Sequence, residues 1–444
     1  AISGDIFEEI CPPHVMNYWD DETGLLDTCI PLPNHNINLK WREQFGKLGT
    51  VDKYTLVKYP IYSQPAYTKR YGAGISAVSD LYGGQLTLRT VQHDYREDAK
   101  LFCKTYFVKQ PESNQKIGFD YEAIVDWLKE RPDSLKIAKE IDEVLSSQLS
   151  VTGLTKVNVH MKLESRMKDV VMAALTGDID MPDAIVDQKV RLIMWQRKGI
   201  TALFSPAFKE AKDVLKDCMR NDVIYVDGYT AEEISGLLKN VSVDCELVED
   251  DLSKQDRQTD ETIINTEMEI YKILGVSEDL VEMWRKVHGG SGKRWYAKGV
   301  GTKFTGQSMR HTGQATTALG NVITNLSVKR KLVERLGSNL KLMLVLGDDN
   351  IMLVKPGIVT KEMVSLNSAR HFNMVSKPKV SKISGNFLRM TVYRNSTGCY
   401  ECCPDFMRLS RRFEVTNGVS EASIDNIDAR CVSYLCMIGR NKET

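Results

Sequence analysis

The chain has 444 residues, 27% charged and 42% hydrophobic, with 59 Lys and Arg set against 59 Asp and Glu. That length exceeds one simple core and fits two or three subdomains, and zero net charge argues against indiscriminate nucleic-acid coating. No apolar run approaches the roughly 20 residues that span a bilayer. The acidic start AISGDIFEEICPPH lacks a signal-peptide core, so no export is expected, and the Ala1 start suggests a piece of something longer. Ten cysteines are too sparse for a disulfide scaffold, which makes a reducing compartment the expectation.

In chain order, the first 150 residues mix turn-rich stretches (Pro12-Pro13, 31–36, Gly83-Gly84) with a helical pattern at Tyr121 to Lys129. Gln188 to Trp195, QKVRLIMW, alternates Lys189 and Arg191 with apolar residues and predicts a strand. Phe208 to Met219 predicts a helix, and Ser242 to Val248 a strand running into acids. Thr262 to Leu274 has helical periodicity through Ile264, Met268 and Tyr271, with Gly275 as its stop. Ser277 then caps a helix running towards His288. From Arg285 to Arg310 stand seven basic residues (Arg285, Lys286, Lys293, Arg294, Lys298, Lys303, Arg310) and no acid, interleaved with Trp295, Tyr296 and Phe304. Such a segment can neutralise phosphates and stack bases, or it can be a solvated loop, and by itself it leaves both open. Gln314 to Leu336 predicts a long helix stopped by Gly337. Two apolar runs, Leu342 to Leu346 and Ile351 to Val354, then flank Gly347-Asp348-Asp349-Asn350, which reads as strand, turn, strand. The pattern is α+β.

Adjacent carboxylates at a hairpin tip repel each other unless a cation lies between them, and hard oxygen ligands suit Mg²⁺ or Mn²⁺. An ordinary solvated Asp-Asp-Asn turn is the alternative. In EDDLSKQDRQTD, Glu249 to Asp260, Asp251 falls at the end of a strand and Asp256 at the start of the next helix. Asp251 with the hairpin acids would form a donor set for two cations about 3.5–4 Å apart, able to activate a 3′ hydroxyl and steady a leaving pyrophosphate. A surface acidic cluster is the alternative. In RHTGQATTALGN, Thr312-Gly313 offers a turn that can approach a nucleic-acid backbone, and Thr317 and Asn321 share a helix face. A packing helix explains the same pattern. Cys399, Cys402 and Cys403 lack a matching pair at finger-like spacing and read as free thiols rather than a zinc site.

These segments, in this order, resemble motifs A, B and C of viral RNA-directed RNA polymerases. Asp-x4-Asp is met by Asp251 and Asp256, Ser/Thr-Gly-x3-Thr-x3-Asn by Thr312, Gly313, Thr317 and Asn321, and Gly-Asp-Asp by Gly347, Asp348 and Asp349. The wording is most similar to the alphavirus-like supergroup, with endornavirus-like lineages among the nearer branches. Around it, Gln188 to Gln196 resembles motif F, with Arg191 and then Lys189 as the residues meeting the triphosphate. Asn373 to Lys377 resembles motif D, whose lysine, Lys377, protonates the leaving group, with Lys379 close by. Ser384 to Leu388 resembles the motif E hairpin, and 404–413, with Arg408, Arg411 and Arg412, resembles the start of the thumb. The chain departs from the supergroup in motif A, where Gln255 replaces an aromatic residue and Arg257-Gln258-Thr259 replaces Lys-Ser-Gln.

The resemblance implies a right-hand polymerase of fingers, a palm with an antiparallel sheet flanked by helices, and a small thumb. The implied layout is 1–240 N-terminal extension and fingers, 241–276 palm, 277–305 fingers insertion, 306–390 palm and 391–444 thumb, with 1–150 placed by position alone. Asp251, Asp348 and Asp349 would hold two Mg²⁺ or Mn²⁺ ions. Asp256, Thr312, Gly313, Thr317 and Asn321 would meet the nucleotide and its ribose, and Lys293, Arg294, Lys298 and Arg310 the RNA. Template and nascent RNA, ribonucleoside triphosphates and other viral replication proteins are the implied partners, in a replication complex in the host cytoplasm. A reverse transcriptase shares the two-acid hairpin, and a catalytically idle RNA-binding scaffold could keep the fold. Template incorporation assays separate the three.

Overall fold

The computed structural model describes residues 94–146 (113 excepted), 154–162, 191–252, 255–289, 295–299, 302–306, 309–372, 374–405, 428–429 and 431–435, and seven short strands outside them. Six of these open the chain: β1 (Ile30–Leu32), β2 (Asn38–Trp41), β3 (Lys47–Thr50), β4 (Lys53–Thr55), β5 (Thr68–Arg70) and β6 (Leu86–Leu88). Helices α1 (Tyr95–Tyr106), α2 (Tyr121–Lys129) and α3 (Ser134–Ser146) follow, then β7 (Lys156–Lys162), β8 (Arg191–Trp195) and α4 (Lys198–Cys218). The middle runs β9 (Val223–Tyr225), α5 (Ala231–Lys239), β10 (Glu246–Leu252), α6 (Gln255–Gln258), α7 (Glu261–Ile273) and α8 (Glu278–Val287). Next come β11 (Trp295–Gly299), β12 (Thr302–Gly306), α9 (Thr317–Leu336), β13 (Leu340–Leu346), β14 (Asp349–Val354) and α10 (Lys361–Phe372). The last are β15 (Ser376–Ser381), β16 (Ser384–Phe387), β17 (Met390–Arg394), β18 (Tyr400–Pro404) and β19 (Val415–Asn417).

Mixed helix and sheet is as expected. The central sheet has five strands in the order β15-β10-β14-β13-β9, antiparallel except where β13 meets β9. Its apolar strands are continuous because both faces are covered. Met343, Val345, Met352 and Val354 point into a core shared with α4, α7, α8 and α9. The alternate residues Leu342, Leu344, Ile351 and Leu353 pack against Ile234 and Leu238 of α5 and against Phe387, Val392 and Tyr400 of the three-stranded sheet β16-β17-β18. That small sheet continues past position 390, the implied end of the palm.

Helix α9 crosses beneath the sheet with every residue from Leu319 to Arg330 buried. Helices buried all round are ordinarily apolar, so its Asn321, Asn325 and Lys329 need partners inside the protein.

Three predicted elements differ from the structure. Helix α4 begins ten residues ahead of Phe208 and contains Pro206. One lost backbone hydrogen bond is outweighed there by burying Ile200, Leu203, Phe204, Ala207 and Phe208 along one face. The strand expected at Ser242 to Val248 is β10, four residues later, because pairing with β14 and β15 carries Asp250 and Asp251 into the sheet. The basic stretch, read as a loop, forms the hairpin β11–β12 inside a second five-stranded sheet, β2-β12-β11-β7-β8. Residues 188–190 of the predicted motif F strand lie outside the described residues, and β8 carries the remainder.

Candidate active site

Strands β13 and β14 are joined by two residues, Gly347 and Asp348, with Leu346 opposite Asp349. Gly347 has φ +60°, while Asp348 is not among the residues at positive φ. That is the pattern of a type II′ turn, whose first central position favours glycine. The turn holds both carboxylates at the end of the sheet. Strand β10 supplies the third. Its last pair with β14 is Glu249 opposite Ile351, so two positions further on Asp251 comes level with Asp349. On its other side Asp251 is paired with Lys377 of β15.

The electrostatics of the three acids are coupled. All reach solvent, yet partial withdrawal from water, then the charges of Asp348 and Asp250, raise the Asp251 carboxyl above its ordinary range. Lys377 and Lys329 oppose that shift. Partial burial, then Asp348 and Asp251, push Asp349 up to about 6. Among the described residues no three His, Cys, Asp or Glu side chains form a ready-made metal cage. The donors still fit a hard cation: they are all carboxylate oxygens, and a divalent ion between them would offset their mutual repulsion.

Beside them lies a polar pair. Asn321 of α9 donates from Nδ2 to Asp256 Oδ1 at 3.2 Å. Burial raises the Asp256 carboxyl, against the opposing effects of Arg310 and the Asn321 hydrogen bond. The residues that depart from the supergroup pattern in motif A all form hydrogen bonds where side-chain placement is described. Gln255 donates to the Asn321 carbonyl at 2.9 Å, Thr259 donates to the Gln255 carbonyl at 3.0 Å, and Gln258 exchanges bonds with the backbone of Val375, just ahead of β15. They bind the strand of Asp251 to α9 and to the strand of Lys377.

Thr312 and Gly313 are brought to β8. The Thr312 hydroxyl accepts from the Met194 amide at 2.9 Å and donates to its carbonyl at 3.2 Å, and the Gly313 amide donates to the same carbonyl at 2.8 Å. A Cβ on Gly313 would lie 2.7 Å from the Trp195 Cβ, so only glycine permits this approach. The loop is therefore fastened to the strand that carries Arg191. The Thr317 hydroxyl closes the same loop, donating to the His311 carbonyl at 2.8 Å. Lys189 lies outside the described residues, and Arg191 is placed by its backbone at the start of β8.

The basic segment divides in two. Tyr296 and Lys298 project from one face of β11 into solvent while Trp295 and Ala297 are buried behind it. Lys293 and Arg294 lie outside the described residues. Arg310, expected on the RNA path, is corrected: its side chain has 0% exposure and is paired with the equally buried carboxylate of Glu267. Tyr271 also donates to that carboxylate, and burial with the nearby Arg310 charge lowers His311 to about 3, leaving it neutral. Arg285, counted in the same basic run, is likewise internal, donating to Asn265 at 2.8 Å and Glu261 at 2.6 Å. Cys402 is buried against Ser235, whose hydroxyl accepts from its amide at 3.1 Å.

Asp250, Asn325, Lys329 and Asn350 were not expected to take part, and they form a buried polar group directly under the hairpin. The signal was present as Asn321, Asn325 and Lys329 at intervals of four, which share one helix face.

The family model described as RNA dependent RNA polymerase matches residues 89–426. The replicase large subunit of Tobamovirus Ob is 24% identical over 235 residues, covering 51% of this chain and 14% of that protein. The RNA-directed RNA polymerase 2a of Brome mosaic virus is 27% identical over 258 residues, 56% of this chain and 29% of that protein. The replicase polyprotein 1ab of Beet yellows virus is 27% identical over 169 residues, 36% of this chain and 5% of that protein. The matching stretch thus spans less than a third of each of these relatives.

Proposed function

The chain belongs to the RNA-dependent RNA polymerase family of alphavirus-like viruses, and from that premise we propose that it joins ribonucleotides to an RNA 3′ end under the direction of an RNA template. The observation that carries this reading is the convergence of Asp251, Asp348 and Asp349 at one end of the central sheet, beside the bonded pair Asp256 and Asn321.

In this reading Asp251 and Asp348 hold two Mg²⁺ or Mn²⁺ ions, with Asp349 assisting. When bound, such ions would supply a lowered pKa at the attacking hydroxyl and neutralising charge at the leaving pyrophosphate. The chain's own groups position the rest. Asp256 and Asn321 receive the ribose 2′ hydroxyl, Arg191 meets the triphosphate from β8, and Lys377, paired with Asp251, is placed to give a proton to the leaving group. Lys298 and Tyr296, with Lys293 and Arg294, meet the RNA. The central sheet serves as palm, β7–β8 and β11–β12 as parts of the fingers, and β16–β18 as support for the primer end. Other viral replication proteins and the host cytoplasm complete the proposed setting.

The test is incorporation of labelled nucleotides on a primed RNA and on a primed DNA, with ribo- and deoxyribonucleotides supplied separately. Ribonucleotide addition on RNA, dependent on Mg²⁺ or Mn²⁺, is the expected result. Preference for deoxyribonucleotides would make the chain a reverse transcriptase, and RNA binding without incorporation would make it a scaffold.

A further inference from the structure

The three acids stand on two separate pieces of backbone, the end of β10 and the β13–β14 turn, and β-pairing between β10 and β14 stops at Glu249 and Ile351. Something other than the ladder must fix how far Asp251 lies from Asp348. Asn325, fully buried at 0% exposure, is bonded to the Asp348 side of that gap. Its Nδ2 donates to the Asp348 carbonyl at 3.0 Å. Its Oδ1 accepts from Lys329 Nζ at 2.7 Å and from Asn350 Nδ2 at 3.2 Å. Asn350 donates in turn to the Asp250 carbonyl at 2.6 Å, and Lys329 Nζ lies 2.9 Å from the Asp250 carboxylate, both groups at 0% exposure.

An amide can be turned end for end, but an ammonium group only donates. Lys329 therefore compels the Asn325 oxygen to face it and the Asn325 nitrogen to face the hairpin. The lysine charge is itself held by Asp250, the residue beside Asp251. The result is a continuous link from the backbone of β10 through Asn350 and Asn325 to the carbonyl of Asp348.

We propose that Asn325, oriented by Lys329, is a positioning residue that sets the spacing between Asp251 and the Asp348–Asp349 turn, and through it the affinity of the acids for divalent cations. The inference rests on the polymerase reading only for the reaction that follows. Cation binding can be measured without it.

The experiment uses the full chain, with Mn²⁺ binding followed by electron paramagnetic resonance of the free ion and kcat and nucleotide KM measured on primed RNA. Asn325→Leu keeps the approximate volume and the site charge. It is expected to weaken Mn²⁺ binding by about ten-fold or more and to lower kcat similarly, as losses behind metal ligands do, while nucleotide KM stays within about two-fold. Lys329→Met combined with Asp250→Asn, which also preserves net charge, should shift both readouts in the same direction by less. If Asn325→Leu does not fold, Asn325→Ser takes its place. A folded variant with unchanged Mn²⁺ affinity would overturn the proposal, whether or not kcat fell. So would a wild-type chain with no Mn²⁺ signal removable by Asp348→Asn. A wild-type chain with such a signal and no nucleotide addition would refute the polymerase reading alone, and the Asn325 variants would still decide the positioning role.

Discussion

Two ionic clusters on either side of the same helix follow opposite rules. At the hairpin, Asp251, Asp348 and Asp349 reach solvent with more negative charge than Lys377 can offset, and the carboxyls of Asp251 and Asp349 are raised, by partial burial first and by their acidic neighbours second. Around the start of α9, Arg310 and Glu267 are matched one to one, wholly buried, and surrounded by Trp284, Tyr271 and neutral His311. Unbalanced charge at a surface costs stability unless a ligand arrives, which is the mark of a functional site. Balanced charge in an interior holds neighbouring elements in register. The Lys329–Asp250 pair joins the two patterns, being balanced and buried yet only one residue from Asp251.

The largest effect should come from the unbalanced side. Asp348→Asn should reduce nucleotide addition to background while the thermal midpoint stays level or rises, since one source of repulsion is gone. A clear fall in the midpoint with activity retained would reverse the assignment. On the balanced side, Arg310→Met should cost about 3–5 kcal/mol of stability by leaving Glu267 buried without its partner. Denaturant unfolding checks this, and adding Glu267→Leu should restore most of the loss. An exposed, RNA-binding Arg310 would show neither effect and would instead weaken RNA affinity.

Smaller effects sharpen the boundary between the clusters, where Asp256 and Asn321 meet. Asn321→Ala should lower the preference for ribo- over deoxyribonucleotides by roughly ten-fold, since one such hydrogen bond is worth about 1–3 kcal/mol. Slower use of both sugars in an unchanged ratio would make Asn321 a packing residue. Arg191→Ala should raise nucleotide KM more than it weakens RNA binding, because alanine cannot replace a bidentate guanidinium. Loss of RNA affinity alone would assign Arg191 to the template channel. Smallest of all, neutralising Lys293, Arg294 and Lys298 together should flatten the dependence of log affinity on log salt by roughly 0.7 to 0.9 per charge lost. An unaltered slope would leave the exposed face of β11 as an ordinary solvated strand face.

Much of this was legible in the order of residues. The acids at Asp251, Asp348 and Asp349, the turn at Gly347 and the stop at Gly275 depend on local chemistry that a short window contains. The resemblance implied that Asp256 and Asn321 both meet the ribose; that they are hydrogen-bonded to each other is seen only in the structure. Other features could not be read. A run of seven basic residues looks like one electropositive stretch, but Arg285 and Arg310 turn inward to Glu261 and Glu267, acids on another helix. Gln255 and Gln258 looked like simple departures from a pattern, and each holds two elements together.

The sequence by itself determined which chemistry is present and in what order, because turn geometry, helix periodicity and donor types are properties of neighbours along the chain. Tertiary structure alone decided which charges meet. Asp251 comes level with Asp349 through the pairing of two strands that stand nearly a hundred residues apart in the chain, and Lys329 reaches Asp250 because α9 passes directly beneath the sheet. A side chain's charge is written in its residue type. Whether that charge is solvated, neutralised or left for a ligand depends on what the fold packs against it.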